Sequence, residues 1–157
     1  MTIGTDSVID FFGTQDAVDD GTTSTIATTA FSVAADISAW TNDDDAPLAN
    51  FVLECQFDTT FPTVGTIDLY ARPMNLQSTS DPGAPDASNL NNYLGHFPID
   101  FGIAADTNYF SYLYGAQLPN NITSQIYEFY LHNNATGQTM GVDWNLWITP
   151  FTRGPHA

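Results

Sequence analysis

Apolar and polar residues alternate with a period of two along most of this chain. The stretch FVLECQF, residues 51–57, shows the pattern plainly: Leu53 and Cys55 fall on one face, while Glu54 and Gln56 fall on the other. This alternation is typical of a β-strand with one face in the core and one face in water. Strands are predicted in this way at residues 30–40, 51–57, 65–73, 108–115, 125–133 and 141–149, with weaker candidates at residues 7–13 and 95–102.

The predicted strands are short, and Gly, Pro, Asn and Asp residues separate them. About eight strands with such spacing favour an antiparallel β-sandwich, and no apolar stripe of helical period extends beyond about two turns. We therefore predict an all-β fold with residues 1–157 as a single domain. Three segments lie outside the pattern: residues 1–21 are predicted as an N-terminal arm, residues 75–93 as a long polar loop, and residues 150–157 as an extended C-terminal tail.

Acidic residues dominate the charge of the chain. It has 18 acidic residues, no Lys, and only Arg72 and Arg153 as cations, which gives a formal net charge of −16. A nucleic-acid surface needs clustered Lys and Arg, so DNA and RNA are excluded as partners, and binding to anionic membranes is disfavoured for the same reason. Salt screens self-repulsion, so a saline or calcium-containing medium accounts for the acidity. Selection for solubility alone accounts for it equally well.

No segment predicts insertion into a membrane or export from the cell. No stretch approaches the roughly 18 consecutive apolar residues of a membrane-spanning helix. The first ten residues, MTIGTDSVID, lack the basic and apolar regions of a signal peptide. We expect a protein that is made in a cytoplasm and is not secreted.

The residues that carry enzyme chemistry are sparse and scattered. Cys55 is the only cysteine, and it lies in phase with inward positions, so it is predicted to be an inert core thiol. His96, His132 and His156 occupy separate segments without zinc-binding spacing. Neither the nucleophile pattern G-x-S-x-G nor a nucleotide-binding glycine motif occurs. We expect no enzymatic activity and assign no catalytic residues.

One acidic run is a candidate metal site. Asp43, Asp44 and Asp45 are consecutive in TNDDDAPLAN, and calcium binds about six to eight oxygen ligands of the kind that such a loop supplies. The spacing is not that of an EF-hand, and the alternative is a solvated turn whose Asp side chains cap backbone N–H groups. The residues that could join this run lie in QDAVDDG: Asp16, Asp19 and Asp20. No cofactor other than calcium is considered.

Aromatic residues are concentrated in three of the predicted strands. Near the C-terminus, Trp144 shares its face with apolar residues and is predicted to be core, whereas Trp147 falls on the polar face. Tyr112 and Tyr130 likewise lie on the face of their own strands that alternates with the predicted core face. Exposed Tyr and Trp anchor protein interfaces or stack on sugar rings, although a loop or a second sheet can also cover such residues. We select Tyr112, Tyr130 and Trp147, together with Arg153, as candidate interface residues.

Several segments in a fixed order resemble small virion structural proteins of tailed bacteriophages. The order is FFGTQDAV, DLYARPMNLQSTSDPGAP, LGHFPID and LPNNITSQIYEFYLHNNATGQTMGVDWNLWITPFTRGP. In that family, a strand ending in LYARPMN runs into a polar D-x-x-x-P loop and an LG-x-F segment. An LP pair then precedes a final hairpin with an N-x-TGQT turn and a W-x-L-x-I-x-P strand. The resemblance covers most of the chain, and its motifs belong to turns and strands rather than to a catalytic site.

The resemblance implies a jelly-roll-like sandwich in a virion. Members of the family are usually head decoration (cement) proteins or small tail proteins. It therefore implies a non-enzymatic protein that stabilises the head exterior, with the major capsid protein as its main partner and a trimer as its assembly. The alternative is a tail or head-fibre component that stacks host-surface glycan on Tyr112, Tyr130 or Trp147. A calcium-dependent lectin-like domain of a cell is a third interpretation.

Overall fold

The computed structural model describes residues 8–74, 81–90, 92–99, 106–119 and 124–155, and the described chain is all β apart from one 3₁₀ turn at Ala34–Asp36. The strands form two antiparallel sheets that pack as a sandwich, which confirms the predicted fold class. The strands are β1 (Val8–Phe12), β2 (Asp16–Ala17), β3 (Trp40–Asn42), β4 (Leu48–Cys55), β5 (Thr66–Pro73), β6 (Tyr93–Phe97), β7 (Tyr109–Gln117), β8 (Gln125–Asn134) and β9 (Asn145–Pro155).

The strand order is that of a jelly roll. The five-stranded sheet has the order β1-β9-β4-β7, with β2 also paired to β9, and the four-stranded sheet has the order β3-β8-β5-β6. Strands that follow each other in sequence mostly lie in opposite sheets, so the chain winds around the sandwich. With β1 and β2 counted as one interrupted strand, the arrangement matches the eight-stranded double-sheet architecture, which is compatible with the jelly-roll-like expectation.

The core lies between the sheets and is built from the inward positions of the strands. On β4 every second side chain is buried, including Phe51 and Leu53. Phe51 meets Phe129 of β8 edge to face, with ring centroids 5.0 Å apart, and thereby joins the two sheets. Trp144 is also buried, and its indole N–H donates to the Ser24 carbonyl at 2.9 Å. Burial of these large side chains supplies most of the favourable free energy of folding.

The two ends of the described chain pair with each other. β1 lies antiparallel to the last part of β9, beginning with Val8 opposite Pro155. The register between β4 and β9 ends at Phe151, so β1 and the end of β9 form a two-stranded ribbon beyond β4. The described parts of the predicted N-terminal arm and C-terminal tail are therefore extended but held in a sheet. The outermost parts of both segments, residues 1–7 and 156–157, lie outside the described residues.

The strand predicted at residues 30–40 is wrong for most of its length. Only Trp40 belongs to a strand, while Ala34–Asp36 forms the 3₁₀ turn and Val33, assigned to the inward face, is 52% exposed. Ser32 instead donates its backbone N–H to a carbonyl of β8. The segment follows the edge of β8 briefly and then turns away. Local alternation of residue types cannot distinguish that path from a regular strand.

The two weaker strand candidates have different outcomes. The candidate at residues 7–13 is confirmed as β1. The candidate at residues 95–102 is displaced, because β6 begins at Tyr93 and ends before Pro98, which has no N–H to donate to a ladder. Residues 100–102 of that candidate lie outside the described residues.

Two buried tyrosines make the fold sensitive to alkaline pH. The Tyr127 hydroxyl donates to the Pro119 carbonyl at 2.7 Å, and burial raises the pKa of Tyr127 from 10.0 to about 12. Burial, together with the hydrogen bond to Glu128, raises the pKa of Tyr130 to about 12 as well. In the unfolded chain both hydroxyls lose their protons near pH 10, so the folded state retains protons that the unfolded state releases. Their stabilisation is therefore complete below about pH 10 and is lost as the pH rises towards 12.

We expect the free energy of unfolding, measured by urea titration, to fall steadily between about pH 10 and pH 12. Tyr127→Phe removes one of the two titrating groups, so the fall with pH should be shallower in that variant. At neutral pH the same variant should lose about 1 kcal/mol through the missing hydrogen bond. An alkaline slope identical to that of the wild type would show that Tyr127 does not titrate with unfolding.

Candidate contact surface on the five-stranded sheet

The outer face of the five-stranded sheet carries a row of exposed aromatic side chains on β7. Phe110, Tyr112 and Tyr114 occupy alternate positions that point away from the core, and 49%, 46% and 71% of their surfaces are exposed. The Tyr112 and Tyr114 rings lie nearly parallel, with an interplanar angle of 4° and centroids 5.9 Å apart. Neither hydroxyl has a hydrogen-bond partner among the described residues. The row therefore offers both apolar area and free hydroxyl groups.

The surface continues from β7 towards the middle of the sheet. The backbone register places Tyr112 opposite Val52 of β4, and Val52 opposite Trp147 of β9. Val52 and Trp147 are half-buried. Two predicted interface residues, Tyr112 and Trp147, thus lie roughly 10 Å apart on one face with an apolar side chain between them. We call this surface the outer aromatic face, and it consists of Phe110, Tyr112, Tyr114, Val52 and Trp147.

A cleft at one end of the outer aromatic face has polar as well as aromatic walls. Tyr114, Phe12 and Asn50 line it together with Asp10 and Arg153, and its volume is about 490 Å³. Arg153 donates two hydrogen bonds to the Asp10 carboxylate, at 2.7 Å and 3.0 Å, and these bonds hold the pKa of Asp10 below its usual value. Arg153, another predicted interface residue, therefore lies beside the outer aromatic face and is already paired with Asp10.

Tyr130 does not belong to this surface. It lies on β8 in the four-stranded sheet and is only 1% exposed, so the expectation that its ring is exposed is wrong. Its hydroxyl donates to Glu128 Oε2 at 2.8 Å, and Arg72 forms an ion pair with the same oxygen at 2.8 Å. Arg72 also donates to the Pro82 carbonyl, which ties the loop at residues 75–93 to this sheet. Alternation indicates which side of a sheet a residue faces, but not whether that side is covered.

The Asp residues considered as calcium ligands are not gathered into one site. In the part of the chain that the structure describes, no group of three or more His, Cys, Asp or Glu residues could hold a metal ion. Asp19 accepts the backbone N–H groups of Gly21 and Leu146 at 2.9 Å each, and Asp45 accepts that of Ser124 at 3.1 Å. These are the backbone-capping bonds of the alternative interpretation. The remaining candidates are exposed: Asp16, Asp20, Asp43 and Asp44.

Cys55 and the two histidines of the described residues lie in different sheets. Cys55 is buried, and burial raises the pKa of its thiol from 9.0 to about 12. A thiol in that environment is almost entirely protonated at neutral pH and is a poor nucleophile. His96 of β6 and His132 of β8 lie on either side of Asp68 of β5, and His132 Nδ1 is 4.0 Å from Asp68 Oδ2. His156 lies outside the described residues.

We expect Cys55 in the native protein to resist iodoacetamide at pH 8. A pKa raised from 9.0 to about 12 lowers the thiolate fraction roughly a thousandfold, and burial blocks access as well. Labelling followed by mass spectrometry should therefore be slow in buffer and fast in denaturant, with Cys55→Ser as the unlabelled control. Rapid labelling at the same rate with and without denaturant would contradict the buried position.

Two aromatic members of the outer aromatic face were not selected from the sequence. Phe110 and Tyr114 lie two residues on either side of Tyr112 and share its face. The period of two around Tyr112 was the pattern that could have identified them. Their strand is aromatic on both faces, so alternation alone did not separate the exposed rings from the buried ones. Phe11 and Phe12 on β1 are also largely exposed.

Among known proteins, a solved virus structure contains a chain that aligns with this one. No family model and no curated protein matches this chain. A chain in the structure of infectious bursal disease virus, Gx strain, aligns with 92% of this chain at 12% sequence identity and a TM-score of 0.38. This chain spans 32% of the length of that chain. Within the described residues, no helix has the length and hydrophobicity that a membrane crossing requires.

Proposed function

We propose that this protein is a non-enzymatic structural component of a bacteriophage virion. In this proposal it is a decoration protein that binds the exterior of the head and stabilises it through protein–protein contacts. The major capsid protein is its partner. The protein is made in the host cytoplasm and becomes part of the virion during assembly.

The outer aromatic face is the observation that carries this proposal. It is a broad sheet surface rather than a deep cleft, and its aromatic side chains on β7 are exposed. Exposed Tyr and Trp on a continuous surface, bordered by polar groups, are typical of protein interfaces. A sheet face of this shape suits a broad protein partner better than it suits a small substrate.

The charges favour a position outside the packaged DNA. At a net charge of −16, the protein is repelled by nucleic acid. Its two Arg residues are engaged within the chain, Arg72 with Glu128 and Arg153 with Asp10. No Lys is present to contact phosphate groups. The exterior of the head is therefore a more favourable location than its interior.

The resemblance to phage virion proteins supports the fold more directly than it supports the contact surface. The W-x-L-x-I-x-P motif begins at Trp144, and its apolar residues are all on the buried face of β9 or just before it. The double-sheet jelly roll recurs in viral capsid and lectin domains, and this is an analogy at the level of fold. The motif residues therefore specify the sandwich, while the outer aromatic face carries the argument for binding.

The polar cleft beside Tyr114 supports a second candidate function. Sugar rings stack on aromatic side chains and form hydrogen bonds with amide and carboxylate groups, and the cleft combines Tyr114 and Phe12 with Asn50 and Asp10. In this alternative the protein is a tail or head-fibre component that binds host-surface glycan. Titration with glycans from the host surface, followed by tryptophan fluorescence or calorimetry, tests it directly.

The copy number of the protein in purified virions separates the two functions. A decoration protein occupies symmetry-related sites over the whole head, so we expect on the order of hundreds of copies for each virion. Quantitative mass spectrometry against the major capsid protein measures this ratio. A ratio corresponding to a few copies, together with specific glycan binding, would reject the decoration role and support the alternative.

A further inference from the structure

We propose that the open edge of β7 binds the same edge of a second copy of this chain. The two β7 strands pair antiparallel about a two-fold axis beside Tyr112 and join two five-stranded sheets into one continuous sheet. This contact uses the backbone along the rim of the sheet, whereas the proposed capsid contact uses the surface of the sheet. The edge pairing stands independently of the capsid role, since it follows from the strand alone.

β7 ends the five-stranded sheet, and within the described residues only one of its sides is paired. It lies against β4, with Tyr112 opposite Val52, and no described strand pairs with its other side. From Phe110 to Tyr114, its backbone groups form no hydrogen bonds to described residues outside the ladder with β4. A row of unpaired N–H and C=O groups on an open edge is a template for a further strand.

Before its irregularity at Tyr114 and Gly115, β7 lacks the features by which proteins usually block an open edge. Edges are commonly protected by charged residues, Pro or very short length. The sequence of β7, YFSYLYGAQ, has nine residues with neither a charge nor a Pro. The other edge strands in the described part of the chain are shorter or charged, since β1 contains Asp10, β2 contains Asp16 and β3 has three residues. β6 has five residues and contains His96.

The regular part of β7 is complementary to itself. An irregularity in the register with β4 includes Tyr114 and Gly115, and Gly115 has a φ of 66°, so the regular pairing ends at Leu113 and Tyr114 directly follows it. With a two-fold axis beside Tyr112, Phe110 of each copy lies opposite Tyr114 of the other, and the two Tyr112 side chains lie opposite each other. All the exposed aromatic positions of β7 then form aromatic cross-strand pairs, which stabilise antiparallel sheets.

The uncharged, aromatic sequence of β7, rather than the net charge of the chain, favours a second copy at this edge over a basic partner. A basic partner strand would find no carboxylate on β7 itself, whereas a second copy presents matching aromatic residues. Two copies repel each other at −16 each, so they approach with least repulsion along an uncharged strand. The association should therefore strengthen with salt, because the Debye length falls from about 30 Å at 0.01 M to about 3 Å at 1 M.

Two variants that place opposite charges at position 112 test the pairing. In sedimentation equilibrium at high salt, the wild-type protein should have twice the mass of the 17.1 kDa chain. Tyr112→Asp and Tyr112→Lys each place like charges opposite each other at the axis, so each variant alone should be monomeric. An equimolar mixture of the two variants should recover a dimer that contains one chain of each kind, which native mass spectrometry identifies.

The matched controls are Phe11→Asp and Phe11→Lys, on β1 at the opposite end of the same sheet, where Phe11 is 55% exposed. Each should remain dimeric on its own. Circular dichroism of the position-112 variants should match that of the wild type, because Tyr112 is 46% exposed and contributes little to the core. A monomeric or trimeric wild type, dimeric position-112 variants, or a mixture that stays monomeric would each overturn the proposal.

Discussion

Trp144→Ala is expected to lower the free energy of unfolding by about 3–5 kcal/mol, which is a large part of the stability of a domain of this size. The Trp144 side chain is 1% exposed and fills the core between the two sheets. Its truncation leaves a cavity, and it also removes the donor that satisfies the Ser24 carbonyl. Guanidinium chloride titration followed by circular dichroism measures the loss.

Trp147→Ala is the matched control for this prediction, because it makes the same chemical change three residues further along the chain. Trp147 is half-buried on the outer face of β9, opposite Val52 and Ala17 on the neighbouring strands. Its truncation removes less buried surface and leaves no closed cavity, so we expect a loss of about 1–2 kcal/mol. Equal losses for the two variants would contradict the assignment of Trp144 to the core and Trp147 to the outer aromatic face.

Simultaneous replacement of Trp147 by Ala and Tyr114 by Ser is expected to abolish most of the binding to phage heads. Tyr and Trp at the centre of an interface can each contribute about 2 kcal/mol or more, so the dissociation constant should rise at least about 30-fold for each residue and about a thousandfold for the two together. Heads that lack the protein, incubated with purified wild-type or variant protein and then sedimented, provide the measurement. Fold stability should change far less, because Tyr114 is 71% exposed and Trp147 is half-buried.

Tyr93→Ser serves as the control for head binding. Tyr93 is 49% exposed, which is close to the exposure of Phe110 and Tyr112 on β7. It lies, however, on β6 in the four-stranded sheet. The molecular mass of every variant in solution is determined in the same samples, so that a change in self-association is separated from a change in head binding. Wild-type affinity in the Trp147 and Tyr114 double variant, or equal loss in Tyr93→Ser, would show that heads are not bound through the outer aromatic face.

The alternation of residue types predicted most of the sandwich because the inward face of most long strands is buried and their outward face is more exposed. The stretches that became β4 and β9 show this directly, since Phe51 and Trp144 are buried as expected. The same reasoning was wrong at residues 30–40, where a short edge contact and a 3₁₀ turn reproduce the alternation of a strand. It also could not reveal that β1 pairs with the end of β9, because that contact joins residues at opposite ends of the chain.

The candidate surface was predicted in part. Tyr112 and Trp147 do share one face, because their strands flank β4 in register. The strand around Tyr130 shows the same alternation of residue types, yet Tyr130 is buried in a network with Glu128 and Arg72. Whether an outward side chain is covered depends on where distant segments of the chain lie, and the period of a single strand contains no information about that.

The Asp residues illustrate the same limit for metal binding. Their number made a calcium site easy to imagine from the sequence, but oxygen ligands must converge on one point before they bind a cation. Asp19 and Asp45 instead accept backbone N–H groups: Asp19 caps its own turn at Gly21 and also accepts from Leu146, while Asp45 accepts from Ser124. These bonds occupy oxygen atoms that a cation would otherwise need.

A cryo-EM reconstruction of the parent virion tests the proposed function most directly. We expect regular density for the β-sandwich over the whole head, with the outer aromatic face turned towards the capsid shell. Immunogold labelling of intact particles should then decorate the head uniformly. Density or label confined to the tail, or the absence of the protein from the particle, would contradict the decoration role.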